Sequence, residues 1–327
     1  MADCIELSPA YSTTRRLHKI SPEEWQRELE TAQTPKHKSK VLGSQPEGEG
    51  WLGDGGLRTK GYYKKASEEQ PLVTVITVVF NAQCHLEETI LSVVNQSYQN
   101  LEYIIIDGGS TDGTLDIIRK FEHVIDYWVS EKDKGIYDGM NKGISLSSGP
   151  WLNFMNSGDR FNGDKIIEKI FSKKQNTEFD FIYSDALLPN GMIASANIEQ
   201  NKIIHQSLIY RKDIHHDVGN YIVSKGVSIS DYFFFMLSKN KAWIKIDDVI
   251  SIFNFGGISE KFSHHKQKVA VDLMLNDMAV AKAIYEMSIS RVFNLLAIFL
   301  FRESRLSSLG QSLQGLKHRI EARIKRF

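Results

Sequence analysis

Trp151-Leu-Asn-Phe-Met-Asn156-Ser-Gly-Asp159 is an apolar, strand-like run that stops at small polar residues and a carboxylate. Leu101-Glu-Tyr-Ile-Ile-Ile-Asp107-Gly-Gly-Ser-Thr-Asp112-Gly-Thr114 has the same form, with three isoleucines running into an acid and a glycine-rich turn. Open α/β sheets bind ligands at the carboxyl ends of their strands, so two such stops put two carboxylates at one rim. Either acid alone serves equally well as the cap of a following helix. The repetition favours the rim.

Working outward, Val73-Thr-Val-Ile-Thr-Val-Val-Phe80 is a β-branched run suited to a strand covered on both faces. Apolar periodicity predicts helices over 86–94, 112–121, 137–146 and 165–173. Strands are expected at 125–129 and 179–184. This alternation predicts an α/β fold, an open and mostly parallel central sheet flanked by helices, with right-handed crossovers. Pro189-Asn-Gly191 marks a hairpin. His205-Gln206 opens a possible strand to Arg211, Ser230-Asp231 resembles a helix start, and Trp243 to Phe255 alternates well enough for one strand. No internal repeat or low-complexity tract interrupts the chain.

The polar, loop-rich arm over 1–70 is expected to carry a helix from Ser21-Pro22. Within it, Trp51 to Gly61 combines glycines with Arg58 and Lys60, suiting closure over a phosphate or acceptor, or a flexible surface loop. The sheet domain is expected over 71–260, as a nucleotide-binding half (71–160) and an acceptor half (161–260). Beyond 261 a helical, basic tail carries the apolar run Val292 to Phe301, followed by Arg302, Arg305, Lys317, Arg319, Arg323, Lys325 and Arg326. That run is short for a bilayer span but suits an anionic membrane surface; the alternative is a core helix with a solvated tail.

The 327 residues balance 40 Lys and Arg against 40 Asp and Glu, so no global field favours nucleic acid. Cys4 and Cys84 are too few for a disulfide framework or a thiolate zinc site, so any metal needs oxygen ligands. Met1 to Glu6 lacks the basic and apolar regions of a signal peptide, and the catalytic part is expected in the cytosol, peripheral on the inner-membrane face. Neither a dinucleotide fingerprint nor a P-loop is present. A nucleotide therefore needs another grip. Asp107 and Asp159 supply one if the first accepts from a base or ribose and the second holds magnesium or manganese on phosphate oxygens.

Val73 to Asn81, Ile106 to Thr114, Ser130-Glu-Lys-Asp133-Lys-Gly135-Ile-Tyr-Asp138-Gly-Met-Asn141-Lys-Gly143 and Phe154 to Asp159, in this order and spacing, resemble a family 2 glycosyltransferase with the GT-A fold. The likeness is to bacterial enzymes of O-antigen, capsule and exopolysaccharide synthesis and covers roughly 55–259. It implies a UDP-sugar donor whose base is read by Asp107 and Gly108, with Val78, Phe80 and Asn81 lining the pocket. It further implies that Asp133, Gly135, Asp138 and Asn141 flank the diphosphate and that Lys142 contacts phosphate. Asp159 matches the last acid of the Asp-x-Asp metal motif, and Asn156 stands where many relatives have the first. Asp231 matches the catalytic base of an inverting transfer. His205, Gln206 and Gly256 to Ser259 resemble features near the acceptor, a lipid-linked saccharide. His264-His265 reads as a surface pair. Two other classes compete: a nucleotidyltransferase, which needs a basic glycine-rich loop that Phe80-Asn-Ala-Gln-Cys84 does not offer, and a non-catalytic sugar-nucleotide-binding subunit.

Overall fold

In a computed structural model, which describes residues 4–21, 50–254, 267, 268 and 271, the arm is stitched onto the sheet domain. β1 (His18–Lys19) pairs with β3 (Tyr62–Tyr63), and β2 (Trp51–Gly55) between them is an edge strand of the main sheet. Ser12 donates its hydroxyl to Val94 O (3.1 Å), a carbonyl at the helix end, and also reaches Val93 O (3.2 Å), which accepts from Gln96 N as well. Two compact units span Met1–Lys261 and Phe262–Phe327, so the arm belongs to the first. The expected helix from Ser21, Gly256 to Ser259, His264-His265 and the carboxyl-terminal apolar and basic run lie outside the described residues.

The β-branched run after Pro71 is β4 (Val73–Val79), buried along its whole length between β5 (Leu101–Asp107) and β7 (Trp151–Phe154). β6 (Tyr127–Glu131) follows β5, and all four are parallel. Beyond β7 come β12 (Leu208–Arg211), antiparallel, then β9 (Phe181–Tyr183) and β13 (Trp243–Lys245). The eight strands run β13-β9-β12-β7-β4-β5-β6-β2, and only β12 and β2 oppose the rest. A smaller sheet, ordered β11-β10-β14-β8, joins β8 (Arg160–Phe161), β10 (Ala186–Leu187), β11 (Ile193–Ala194) and β14 (Ser251–Ile252).

Burial on both faces follows from period-two alternation. Val73, Val75, Val79, Tyr103 and Ile105 face a core shared with helices Leu86–Val94, Thr114–Lys120 and Ile166–Ser172. Ile76, Val78 and Ile106 face the helix Ile136–Leu146, which approaches so closely at Gly139 and Gly143 that a Cβ at either would collide with Val78 or Ile76. In the second half, Phe181, Tyr210, Phe235 and Trp243 form an aromatic floor, with Phe181 and Trp243 stacked at 3.9 Å. The helix Ser230–Leu237 supplies Phe235 to it.

Three expectations need correction. Trp51 to Gly55 is not a flexible loop but β2, because its backbone completes the open edge of β6. Trp243 to Phe255 splits into β13 and β14 in different sheets, since the chain bends at Asp247–Asp248. The strand expected from His205 begins at Leu208, and His205–Ser207 is a 3₁₀ turn.

Candidate active site

Asp107 ends β5 with no exposed surface, on the same rung as Val79 and Ser130. That register lets the Ser130 hydroxyl donate to Asp107 Oδ2, while the Ser110 amide (3.0 Å) and hydroxyl close the turn onto the same carboxylate. Ser110 Oγ also accepts from Asn81 N (2.8 Å), and Asn81 Oδ1 accepts from Thr111 N (2.8 Å), so the ends of β4 and β5 form one network. Phe80 projects from it, 60% exposed. Across the gap Asp133 accepts from Gly135 N (2.8 Å), and a Cβ at Gly108 would stand 2.6 Å from Asp133 Oδ2. Val78, Gly108, Asp133 and Gly139 are thus packed so closely at this rim that no side chain fits at either glycine.

Asp159 is 6% exposed, and burial pushes its carboxyl up to about 6, opposed by hydrogen bonds from Asn254 N and Gln206 and by His205. Gln206 Nε2 reaches Oδ2 at 2.8 Å and Asn254 N reaches Oδ1 at 3.0 Å. In the same turn Asn156 Oδ1 and Ser157 Oγ are buried without hydrogen-bond partners among the described residues, which is costly unless a ligand meets them. No group of three or more His, Cys, Asp and Glu suited to a metal occurs among those residues. One carboxylate and one unpartnered amide oxygen fit a hard divalent cation that takes its remaining ligands from a diphosphate and water.

Asp231, in the first turn of its helix, accepts from the Tyr137 hydroxyl at Oδ1 (2.7 Å) and faces His205 Nδ1 from Oδ2 (3.3 Å). Burial opposes its ionisation, but His205, Tyr137 and the Tyr232 amide outweigh that and hold it below its ordinary value. Its side chain is 24% exposed, enough to meet a substrate. Asp231 and Asp159 are therefore held by adjacent residues of one turn, His205 and Gln206.

Other expected site residues have different employment. Arg58 is a correction: it is 3% exposed and bonds Glu102 and Leu146 O (2.7 Å) at the amino end of β5, the opposite rim from Asp107. Lys60 pairs nearby with Glu122 at 3.3 Å, so the structure brings neither residue to Asp107. Asn141 is engaged by the Tyr221 backbone, with which its amide exchanges two hydrogen bonds (2.8 and 3.0 Å). Lys142 is engaged by Glu131 (3.0 Å) and Asp138 (3.8 Å), and Asp138 accepts from Lys134 N. Sequence reasoning missed Tyr137, Ser110 and Ser130, all within quoted motifs, and Tyr221, which no motif marks.

Known proteins resemble this chain in sequence and in fold. An uncharacterised glycosyltransferase of Mycobacterium tuberculosis is 44% identical over 98 residues, 30% of this chain and 37% of that protein. TuaG of Bacillus subtilis, described as a teichuronic acid biosynthesis glycosyltransferase, is 33% identical over 148 residues, 43% of this chain and 56% of its own. The matched regions thus span about a third to a half of these relatives. S. aureus TarS 1–349 in complex with UDP-GlcNAc superposes with a TM-score of 0.54 at 17% identity, over 72% of this chain and 74% of that one. The mannosyltransferase PcManGT of Pyrobaculum calidifontis, in complex with GDP-Man and Mn2+, gives 0.51 at 14% identity, over 76% and 80%. These likenesses support the GT-A fold. The family model for Glycosyl transferase family 2 matches residues 74–239, just over half of the sequence, and the chain belongs to that family.

Proposed function

We propose that the protein transfers a sugar, with inversion, from a UDP-sugar to a lipid-linked saccharide of a bacterial surface polysaccharide, at the cytosolic face of the membrane. The observation that carries this reading is the turn that ties Asp159 through Gln206 and Asp231 through His205, joining a leaving-group end to a nucleophile end. We assign the donor to the carboxyl rim where Gly108 and Asp133 meet, with Asp107 at the end of β5 reading its base. Held by Asp159 and Asn156, a divalent cation would neutralise charge on the diphosphate.

Asp231 takes the proton of the acceptor hydroxyl as that oxygen bonds to the anomeric carbon. The bond from that carbon to the diphosphate breaks, its electron pair leaves with UDP, and one displacement inverts the centre. Because Asp231 is held ionised, it accepts that proton at neutral pH. Ile222 (48% exposed) and Val223 (37%) supply apolar surface that suits a lipid-bearing acceptor. Membrane attachment is read from the apolar and basic carboxyl-terminal sequence. Among the described residues no helix is long and apolar enough to cross a membrane.

The test is a panel of UDP- and GDP-sugars with manganese or with chelator, read as nucleoside diphosphate released. Manganese-stimulated release of UDP supports the proposal. Calorimetric binding of UDP without turnover of any donor would point to the non-catalytic subunit instead.

A further inference from the structure

The polar groups behind Asp231 form a hydrogen-bonded chain whose direction is fixed from its far end. That end is the Gly219 carbonyl, which only accepts, so His215 Nδ1 at 3.1 Å carries a hydrogen. Burial pushes His215 down to about 4, so its Nε2 is bare at neutral pH and accepts from the Tyr210 hydroxyl at 2.9 Å. Tyr210 has then spent its one hydrogen, and its oxygen accepts from Tyr221 at 3.0 Å. Tyr221 is in the same position, and its oxygen accepts from His205 Nε2 at 3.4 Å. All four residues are buried, and Phe154 and Phe235 pack on the His205 ring with centroids at 5.0 and 5.2 Å. The ring nitrogen left for Asp231 is therefore Nδ1.

We propose that His205 is a positioning residue: the chain through Tyr221 and Tyr210 takes a hydrogen from its Nε2, Asp231 Oδ2 takes one from its Nδ1, and the ring, carrying both protons as an imidazolium beside an ionised carboxylate, locks the orientation of that carboxylate. The consequence rests on reading Asp231 as the base. With Tyr137 on Oδ1 and His205 on Oδ2, each oxygen holds one donor and the carboxylate plane is set. Each oxygen keeps a lone pair beyond these bonds, and the side chain is 24% exposed, so an acceptor hydroxyl has one to meet. A bare Nδ1 opposite an ionised carboxylate would set two acceptors against each other, so the shared hydrogen belongs to the resting state.

Nitrogen-15 NMR of the histidine rings in the full-length protein at neutral pH tests the chain without any substrate. His205, assigned by the signal lost in His205→Asn, is expected to show a protonated Nε2, and Asp231→Asn is expected to shift its Nδ1 signal while leaving Nε2 protonated. A bare Nε2 in the wild type, or an Nδ1 signal indifferent to Asp231→Asn, overturns the proposal. Should His205→Asn fail to fold, the Nδ1 shift on Asp231→Asn provides the assignment. With whichever donor proves active, His205→Asn, which keeps an amide N–H near the Nδ1 position, should retain at least tenfold more kcat than His205→Leu, with donor KM within twofold in both. Equal loss of kcat in the two variants would mean that the ring only fills space. The ring spectra stand even if no donor is turned over, so failure here and failure of the functional proposal are distinguishable.

Discussion

The two rims of the main sheet both bury carboxylates but treat them differently. At the amino rim Glu102 is 1% exposed and meets a cation from the chain itself, Arg58, with Thr74 (2.6 Å), the Ser148 amide (2.9 Å) and the Ser148 hydroxyl completing its bonds. At the carboxyl rim Asp107 is as deeply buried and Asp159 nearly so, yet their bonds come from serine hydroxyls, backbone amides and the Gln206 amide. A buried charge balanced within the chain is finished as structure. One held by neutral donors keeps negative potential in reserve for something that arrives.

The sharpest way to break this contrast is Asp231→Asn. Loss of the proposed base should cut transfer by roughly 10²–10⁴-fold, and the denaturation midpoint should move less than in any Arg58 variant. A stability loss matching that of Arg58 would make Asp231 structural and merge the two rims. Next comes Arg58→Met, which strands Glu102 and should cost about 3–5 kcal/mol in urea unfolding while folded protein keeps its UDP affinity by calorimetry. Weaker UDP binding at unchanged stability would return Arg58 to the substrate.

The third effect is one of pH. Burial alone would raise the Glu102 carboxyl, but Arg58, Ser148 and Thr74 hold it at about 2, below its ordinary 4.5. A depressed carboxylate contributes stability that is complete above about pH 4.5 and lost as pH falls towards 2. That amounts to about 3 kcal/mol. Unfolding followed from pH 7 to pH 2.5 should show the loss in wild type and not in Glu102→Gln; parallel curves would remove Glu102 from the account. The smallest effect is expected at Ser110→Ala, where one hydroxyl linking Asp107 to Asn81 N is lost. About 1 kcal/mol, or some fivefold in UDP affinity, should disappear in calorimetry, and an unchanged affinity would show that the network does not shape the donor pocket.

The carboxyl rim was legible because its signal is local: the apolar runs of β4, β5 and β7 are buried throughout and then break off, β5 at Asp107 itself and β7 in the short polar turn that ends at Asp159. The amino rim was not, because the destination of a long cation such as Arg58 is decided by a strand 44 residues away, and glycines around it made the segment look loose. The same holds for Tyr221, whose role depends on contacts with Asn141 and Tyr210 that no local spacing encodes. His205-Gln206 stood out as a dipeptide, but only the turn shows that its two members serve different carboxylates.

The contact of Ser12 with Val93 O and Val94 O bears on the order in which the protein is made. Ser12 leaves the ribosome 81 and 82 residues ahead of the carbonyls it caps, and Thr13 is 111 residues ahead of its own partner, Val124 O. Synthesised first, this part of the arm can dock only after β4, β5 and their helices exist. Until then Val94 O, at the end of the helix Leu86–Val94, is left to water, whereas Val93 O already accepts from Gln96 N. The amino terminus is thus early in translation and late in folding, a fastener laid over a sheet that has to assemble without it.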